Sequence, residues 1–185
     1  MTRSALFEAI RPFAPDNRFS FEHVAAIDAL ADGLGLARAV NGLTPSARCA
    51  DFIKGFESCR LTAYMPTKND VPTIGWGTTK GVKMGMTWTQ EQADAAFAAE
   101  LAEFGARVAS HLGSAPTTQA QYDAMVSLAY NIGVDGFGDS TLLRMHKAGD
   151  HAGAAAQFGR WNKQAGVVLN GLTRRRAAEA AMYAS

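Results

Sequence analysis

The sequence predicts an α+β fold in two lobes, a small antiparallel β-sheet lobe and a larger, mainly helical one, preceded by an N-terminal helical extension. Three observations predict it. Residues 61–85, LTAYMPTKNDVPTIGWGTTKGVKMG, crowd Gly, Pro and Asn-Asp between short apolar pieces, the texture of tight turns joining short strands. From Thr89 onward the apolar residues recur at helical spacing. A length of 185 residues with 48% hydrophobic and 19% charged content suits one main globular domain with a short appendage, and excludes a disordered or fibrous chain.

Residues 1–45 form the predicted extension. Ser20 can cap a helix in which Phe21, Val24, Ile27 and Leu30 recur near helical spacing; Gly33 and Gly35 weaken its end, and NGLTP (41–45) turns into the next element. A packed extension is the plainer reading and a recruitment element the sharper one; four basic and five acidic residues favour neither. Thr44 and Pro45 predict the start of a helix with Phe52, Ile53 and Phe56 on its apolar side. It is expected to end near Glu57 and Ser58, placing Glu57 at the mouth of a cleft between the lobes. After the turn-rich segment, Thr89 with Gln92 and Thr118 with Gln121 have capping-box spacing. Ala93, Ala96, Phe97, Leu101, Phe104 and Val108 mark the buried side of the first of these helices, and Tyr122, Met125, Val126 and Ala129 that of the second. Further helical units are expected after Ser140–Thr141, after Asp150, and from about Thr173 to Tyr183.

Eighteen Lys and Arg against seventeen Asp and Glu give a formal charge of +1, which excludes a strongly basic nucleic-acid binder. No run of 18 apolar residues is present, so no membrane insertion is expected. Pro12, Pro15, Asp16 and Asn17 interrupt the N-terminal stretch, which lacks the apolar core of a signal peptide. Cys49 and Cys59 are too few for a disulfide framework and are expected as free thiols. His23, His111, His146 and His151 form no compact ligand array, so no metal is expected; His146 and His151 are expected to be solvated or next to a helix cap. GTTKG (77–81) lacks the ending of a phosphate-binding loop, and no GxSxG elbow occurs. The run Arg174–Arg176 suits the start of a helix better than a phosphate site, its aliphatic stems covering the lobe surface and Glu179 within ion-pairing reach of the last two.

Glu57, Asp70 and Thr73 supply a candidate chemistry. A carboxylic acid beside an apolar wall can donate a proton at neutral pH, a second carboxylate can activate water, and a hydroxyl can hold that water. This is the equipment of an inverting glycosidase. Spacing alone does not single it out, since such combinations arise by chance in most proteins.

The ordered text is more specific. FIKGFESCRLTAY (52–64) and VPTIGWGTTKGV (71–82) are followed by QYDAMVSLAYNIGVDGF (121–137), STLLRMHKAGD (140–150) and FGRWNKQAGVVLNGLTRRRAAEAAMY (158–183). Together they resemble the phage-type lysozymes, the endolysin muramidases of glycoside hydrolase family 24, over roughly residues 46–185. The resemblance implies a lysozyme-like two-lobed fold and cleavage of the β-1,4 bond between N-acetylmuramic acid and N-acetylglucosamine. It puts the general acid on Glu57 and the water-orienting threonine on Thr73. It puts substrate contacts on Asn131, in the Asn-Ile-Gly motif, and on Tyr64, while Gly75, Trp76 and Gly77 keep the text of the small lobe. Nine positions after Glu57, where the family usually has an aspartate, stands Pro66, and the interval from Glu57 to Thr73 is one residue longer than usual. Asp70 is the nearest remaining carboxylate and the expected base or oxocarbenium stabiliser; it falls where a turn glycine is usual, so a turn-forming Asp after Asn69 is its other reading. Thr67 is a further candidate for positioning water.

The implied partner is bacterial peptidoglycan, with no cofactor, no nucleic acid, a monomeric state and dependence on a holin for release from the host cytoplasm to the periplasm or cell wall. Two alternatives stand beside hydrolysis: a lytic transglycosylase forming 1,6-anhydro muropeptides, and a non-catalytic, peptidoglycan-binding virion protein.

Overall fold

Ser46 opens the first described helix, α1 (Ala47–Lys54), its hydroxyl accepting the Cys49 amide at 3.1 Å. The computed structural model describes residues 42–67 and 70–185, with a few isolated positions before 42, so the extension and the helix expected after Ser20 lie almost wholly outside the described residues. The start expected at Thr44–Pro45 is displaced by two residues, because Ser46 carries both the capping hydroxyl and a tie to the Asp123 carboxylate. Pro45 instead packs into a notch at Gly105, where a Cβ would lie 2.5 Å from the Pro45 ring and 2.8 Å from the Tyr122 hydroxyl. The helix also ends earlier than expected, at Gly55. The amides of Phe56 and Glu57 turn back onto the Ile53 carbonyl at 2.9 and 3.1 Å, so Glu57 stands in the bend that leaves the helix.

The small lobe is an antiparallel pair, β1 (Arg60–Tyr64) and β2 (Thr73–Gly75), with Arg60 opposite Gly75, Tyr64 opposite Thr73 and an irregular register between. Single bridges Thr62–Thr87 and Ile74–Thr78 extend it. Its core is Ala63, Ile74 and Val82, backed by Met86 and Trp88.

Both expected capping boxes form, on α2 (Gln90–Leu112) and α3 (Gln119–Ile132). Ala93, Phe97, Leu101 and Val108 are buried on α2 as predicted, Ala96 and Phe104 are half-buried, and Gly105, Ala109 and Leu112 complete the face. Every residue of α3 from Tyr122 to Ala129 is buried, the condition of a helix enclosed on all sides. Short helices follow: α4 (Val134–Gly138), α5 (Thr141–Lys147) capped by Ser140, and α6 (His151–Gln157) capped by Asp150. A 3-10 turn (Phe158–Trp161) then leads into a hairpin, β3 (Lys163–Gln164) and β4 (Val167–Val168), which two-residue strands kept from showing as a periodic pattern. Ala165 and Gly166 turn it with φ of 48° and 81°. The last helix, α7 (Asn170–Tyr183), starts three residues before the expected Thr173, directly off the hairpin, and packs along α3.

His146 lies next to a helix cap, as one of its two expected settings has it, two residues before Ala148 at the end of α5. It is 1% exposed, not solvated, because the Thr117 hydroxyl (2.8 Å) and the Tyr183 hydroxyl (2.6 Å) satisfy both its ring nitrogens inside the lobe.

Candidate active site

The bend that ends α1 leaves the Glu57 side chain 27% exposed, where Oε1 accepts a charge-assisted hydrogen bond from Arg175 Nη1 at 2.6 Å. Arg175 reaches it from α7 and is itself 4% exposed. Its guanidinium carbon lies 5.6 Å from the centre of the Phe56 ring, and its Nη2 donates to the Ser127 carbonyl at 3.4 Å.

Behind this pair lies Glu179, fully buried. Its Oε1 accepts from Arg175 Nε at 3.2 Å and from the Ser127 hydroxyl at 2.7 Å. Its Oε2 sits 3.0 Å from Arg176 Nε, close enough for ion pairing although the two are not aligned as a hydrogen bond. Burial pushes the Glu179 carboxyl above the usual range, against the pull of Arg176, Ser127 and Arg175. Burial likewise lowers the Arg176 guanidinium. Arg176 Nη2 donates to Asn131 Oδ1 at 2.9 Å. Glu57 and Asn131, far apart in the chain, are therefore ends of one continuous polar chain through Arg175, Glu179 and Arg176.

The basic run divides between surface exposure and ion pairing with Glu179, as expected, but its paired members are buried instead of lying on the lobe surface. Arg174 is exposed, whereas Arg175 and Arg176 turn inward. The pairing with Glu179 follows the expected i+3 and i+4 spacing. The contacts to Glu57 and Asn131 span 118 and 45 positions and leave no local signature.

Asn131 stands in the last turn of α3 with its amide oxygen fixed by Arg176, leaving the amide N–H groups for another acceptor. It lines a cavity of about 370 Å³ with Ile132, Trp161, Lys163, Gln164 and Leu172. Trp161 and Lys163 form one wall of it.

Tyr64 and Thr73 face one another across the β1–β2 pair. Tyr64 is half-buried, with the Arg60 guanidinium 4.2 Å over its ring. Thr73 is 4% exposed and donates its hydroxyl proton to the Val71 carbonyl at 3.1 Å. Its oxygen can therefore accept from a water and leave that water's lone pairs free. Asp70 is exposed in the loop between the strands, Oδ1 accepting the Val71 amide at 3.0 Å and Oδ2 lying 3.4 Å from the Thr67 hydroxyl. This is a turn-forming arrangement. Pro66 is exposed in the same loop. Among the described residues, no hydrogen bond or ion pair joins Tyr64, Asp70 or Thr73 to Glu57.

Trp76 and Tyr130 couple the two lobes. Trp76 Nε1 donates to Asp94 Oδ1 at 2.8 Å, Lys54 pairs with the same oxygen at 2.6 Å, and the Tyr130 hydroxyl reaches the Trp76 carbonyl at 3.4 Å. Hydrogen bonds from Lys54, Trp76 and Gln90 hold the Asp94 carboxyl below its ordinary range. Among the described residues no cluster of three or more His, Cys, Asp and Glu is placed to hold a metal ion, and no helix is long and apolar enough to cross a membrane.

Comparison with known proteins matches residues 54–179 to the family model described as phage lysozyme. The endolysin of Acyrthosiphon pisum secondary endosymbiont phage 1 is 39% identical over 137 residues, covering 72% of this chain and 92% of that protein. The endolysin of Lactococcus phage c2 is 38% identical over 138 residues, and there the match spans 57% of the relative's length against 72% of this chain. Among solved structures, the endolysin from Escherichia coli O157:H7 phage FAHEc1 superposes with a TM-score of 0.69 at 41% identity, over 76% of this chain and 93% of that one.

Proposed function

The chain belongs to the phage lysozyme family, and from that premise we propose that it is an endolysin hydrolysing the β-1,4 bond between N-acetylmuramic acid and N-acetylglucosamine in bacterial peptidoglycan, with Glu57 as general acid. The observation that carries the assignment of Glu57 is its anchorage: one carboxyl oxygen is held by a buried guanidinium at the end of α1, and the side chain remains accessible from solvent. With Oε1 so held, Oε2 is the oxygen that hands a proton to the leaving glycosidic oxygen. Thr73 holds the attacking water as acceptor, and Asn131 offers its amide N–H groups to a sugar acetamido or hydroxyl group beside the Trp161 wall. Tyr64, opposite Thr73, is proposed as a second substrate contact.

Asp70 is proposed as the second carboxylate. Serving as base or oxocarbenium stabiliser requires it to release the Val71 amide, an exchange that its exposed loop position makes inexpensive. A second reading, a lytic transglycosylase in which the muramic acid hydroxyl attacks intramolecularly, is favoured by Pro66 in the usual aspartate position and by the engagement of Asp70 in its own turn. Product mass separates the two, since hydrolysis adds water across the bond and transglycosylation leaves a 1,6-anhydro end.

Residues 46–185 are the proposed catalytic domain and 1–45 a helical extension. The enzyme is proposed to act as a monomer, made in the host cytoplasm and released to the periplasm or cell wall with a holin. Purified Glu57→Gln, compared with wild type on purified peptidoglycan, tests the central claim. Turnover is expected to fall by about 10²–10⁴-fold, the usual worth of a positioned acid. A folded variant with near-wild-type lysis refutes the assignment.

A further inference from the structure

We propose that Glu179 is a positioning residue that sets the catalytic acid and the sugar-binding amide together, acting on Glu57 through Arg175 and on Asn131 through Arg176. The proposal rests on the roles given above to Glu57 and Asn131. A fully buried carboxylate must be paired, and the two cations it pairs with are the two that reach the site. A guanidinium is a rigid planar fork, so fixing its Nε fixes the plane and the direction of both terminal nitrogens. In Arg175 the Nε is bonded to Glu179 and Nη1 to Glu57; in Arg176 the Nε lies against Glu179 and Nη2 is bonded to Asn131. One carboxylate thereby orients two forks whose far ends hold residues from the α1 bend and from α3. Ser127 selects the Glu179 rotamer through the bond from its hydroxyl to Oε1 at 2.7 Å.

The hydrogen bonding indicates that orientation, more than stability, is what the arrangement provides. Glu179 faces both guanidiniums, so neutralising it leaves buried positive charge uncompensated beside Glu57. The same cluster leaves Arg176 Nε and Nη1 and Glu179 Oε2 buried without an aligned hydrogen bond. Buried ion pairs with imperfect geometry are poor sources of stability.

The test measures kcat and KM separately, on soluble uncross-linked glycan strands carrying stem peptides, with each variant normalised to its folded fraction. Glu179→Gln keeps the shape and removes the charge. Because it displaces both Glu57 and Asn131, it is expected to lower kcat by about 10- to 100-fold and also to raise KM. Arg175→Lys is expected to act mainly on kcat and Arg176→Lys mainly on KM, and Glu179→Gln added to Arg175→Lys is expected to lower kcat little further. Ser127→Ala, which removes only the hydroxyl that fixes Glu179, moves kcat in the same direction by a smaller factor and decides the matter should Glu179→Gln not fold. Wild-type kcat and KM in folded Ser127→Ala and Glu179→Gln overturn the proposal, as does a loss that vanishes on normalisation to folded protein. Glu57→Gln is assayed alongside. If it is active, the reading of the acid fails; if it is inactive while Glu179→Gln and Ser127→Ala are normal, only the positioning role fails.

Discussion

His146 makes the protein's stability depend on pH in a window that the structure defines. The Thr117 hydroxyl donates to the Ala115 carbonyl at 2.8 Å, so toward His146 Nε2 it can only accept. The ring therefore carries its proton on Nε2, and Nδ1 accepts from the Tyr183 hydroxyl at 2.6 Å. The Tyr183 oxygen is in turn 3.2 Å from His151 Nδ1. A second proton on His146 would face the Tyr183 oxygen and force that hydroxyl to turn its own proton toward His151. Burial lowers the imidazole from 6.5 to about 4, and His151 adds to the fall. Between these values the unfolded chain binds a proton that the native one refuses. The contribution is therefore complete above pH 6.5 and is lost as pH falls toward 4. The loss is about 1 kcal/mol by pH 5.5 and about 3 kcal/mol at pH 4. For a domain of this size the first figure lowers Tm by about 2–4 °C. Urea denaturation of wild type and His146→Gln across pH 7.5 to 4 measures it, and the variant, though less stable throughout, is expected to lose this part of the pH slope. Equal slopes in the two proteins refute the reasoning.

Two other consequences are directly measurable. Gly105→Ala places a methyl group against the Pro45 ring and the Tyr122 hydroxyl, and is expected to cost about 1–3 kcal/mol by urea denaturation, in spite of alanine's better helix propensity. Cys59, half-exposed, is expected to react with a thiol reagent in the native protein. Cys49, fully buried and with its thiol pKa raised by burial, is expected to react only on unfolding; two equivalents labelled under native conditions contradict this.

What the sequence made legible was local. The capping boxes at Thr89 and Thr118 each need only four residues, and both formed where expected. The β1–β2 lobe followed from turn chemistry, and a turn-forming Asp70 from the preceding Asn69. The start of α1 was misplaced because Ser46 is chosen by Asp123, 77 positions away, in addition to its own capping bond. The cap beside His146 was legible, but its burial was not, because its partners, Thr117 and Tyr183, are 29 and 37 positions distant. At the site, the reach of Glu179 singled out Arg175 and Arg176 from Arg174, but nothing local showed that this pairing would be buried. Glu57 and Asn131 were identified by resemblance to a family; the chain of charges joining them became visible only with α7 packed on α3.

That chain of charges also ties the setting of Glu57 to the packing of a distant helix. Glu57 and the guanidinium that holds it lie 118 residues apart, so their contact requires α7 to be docked against the buried α3. Contacts of such separation form late, after the loop between them has been closed by other packing. Without α7 in place the Glu57 side chain loses this anchor, so the packing of α7 on α3 and the setting of the Glu57 carboxyl are a single structural event.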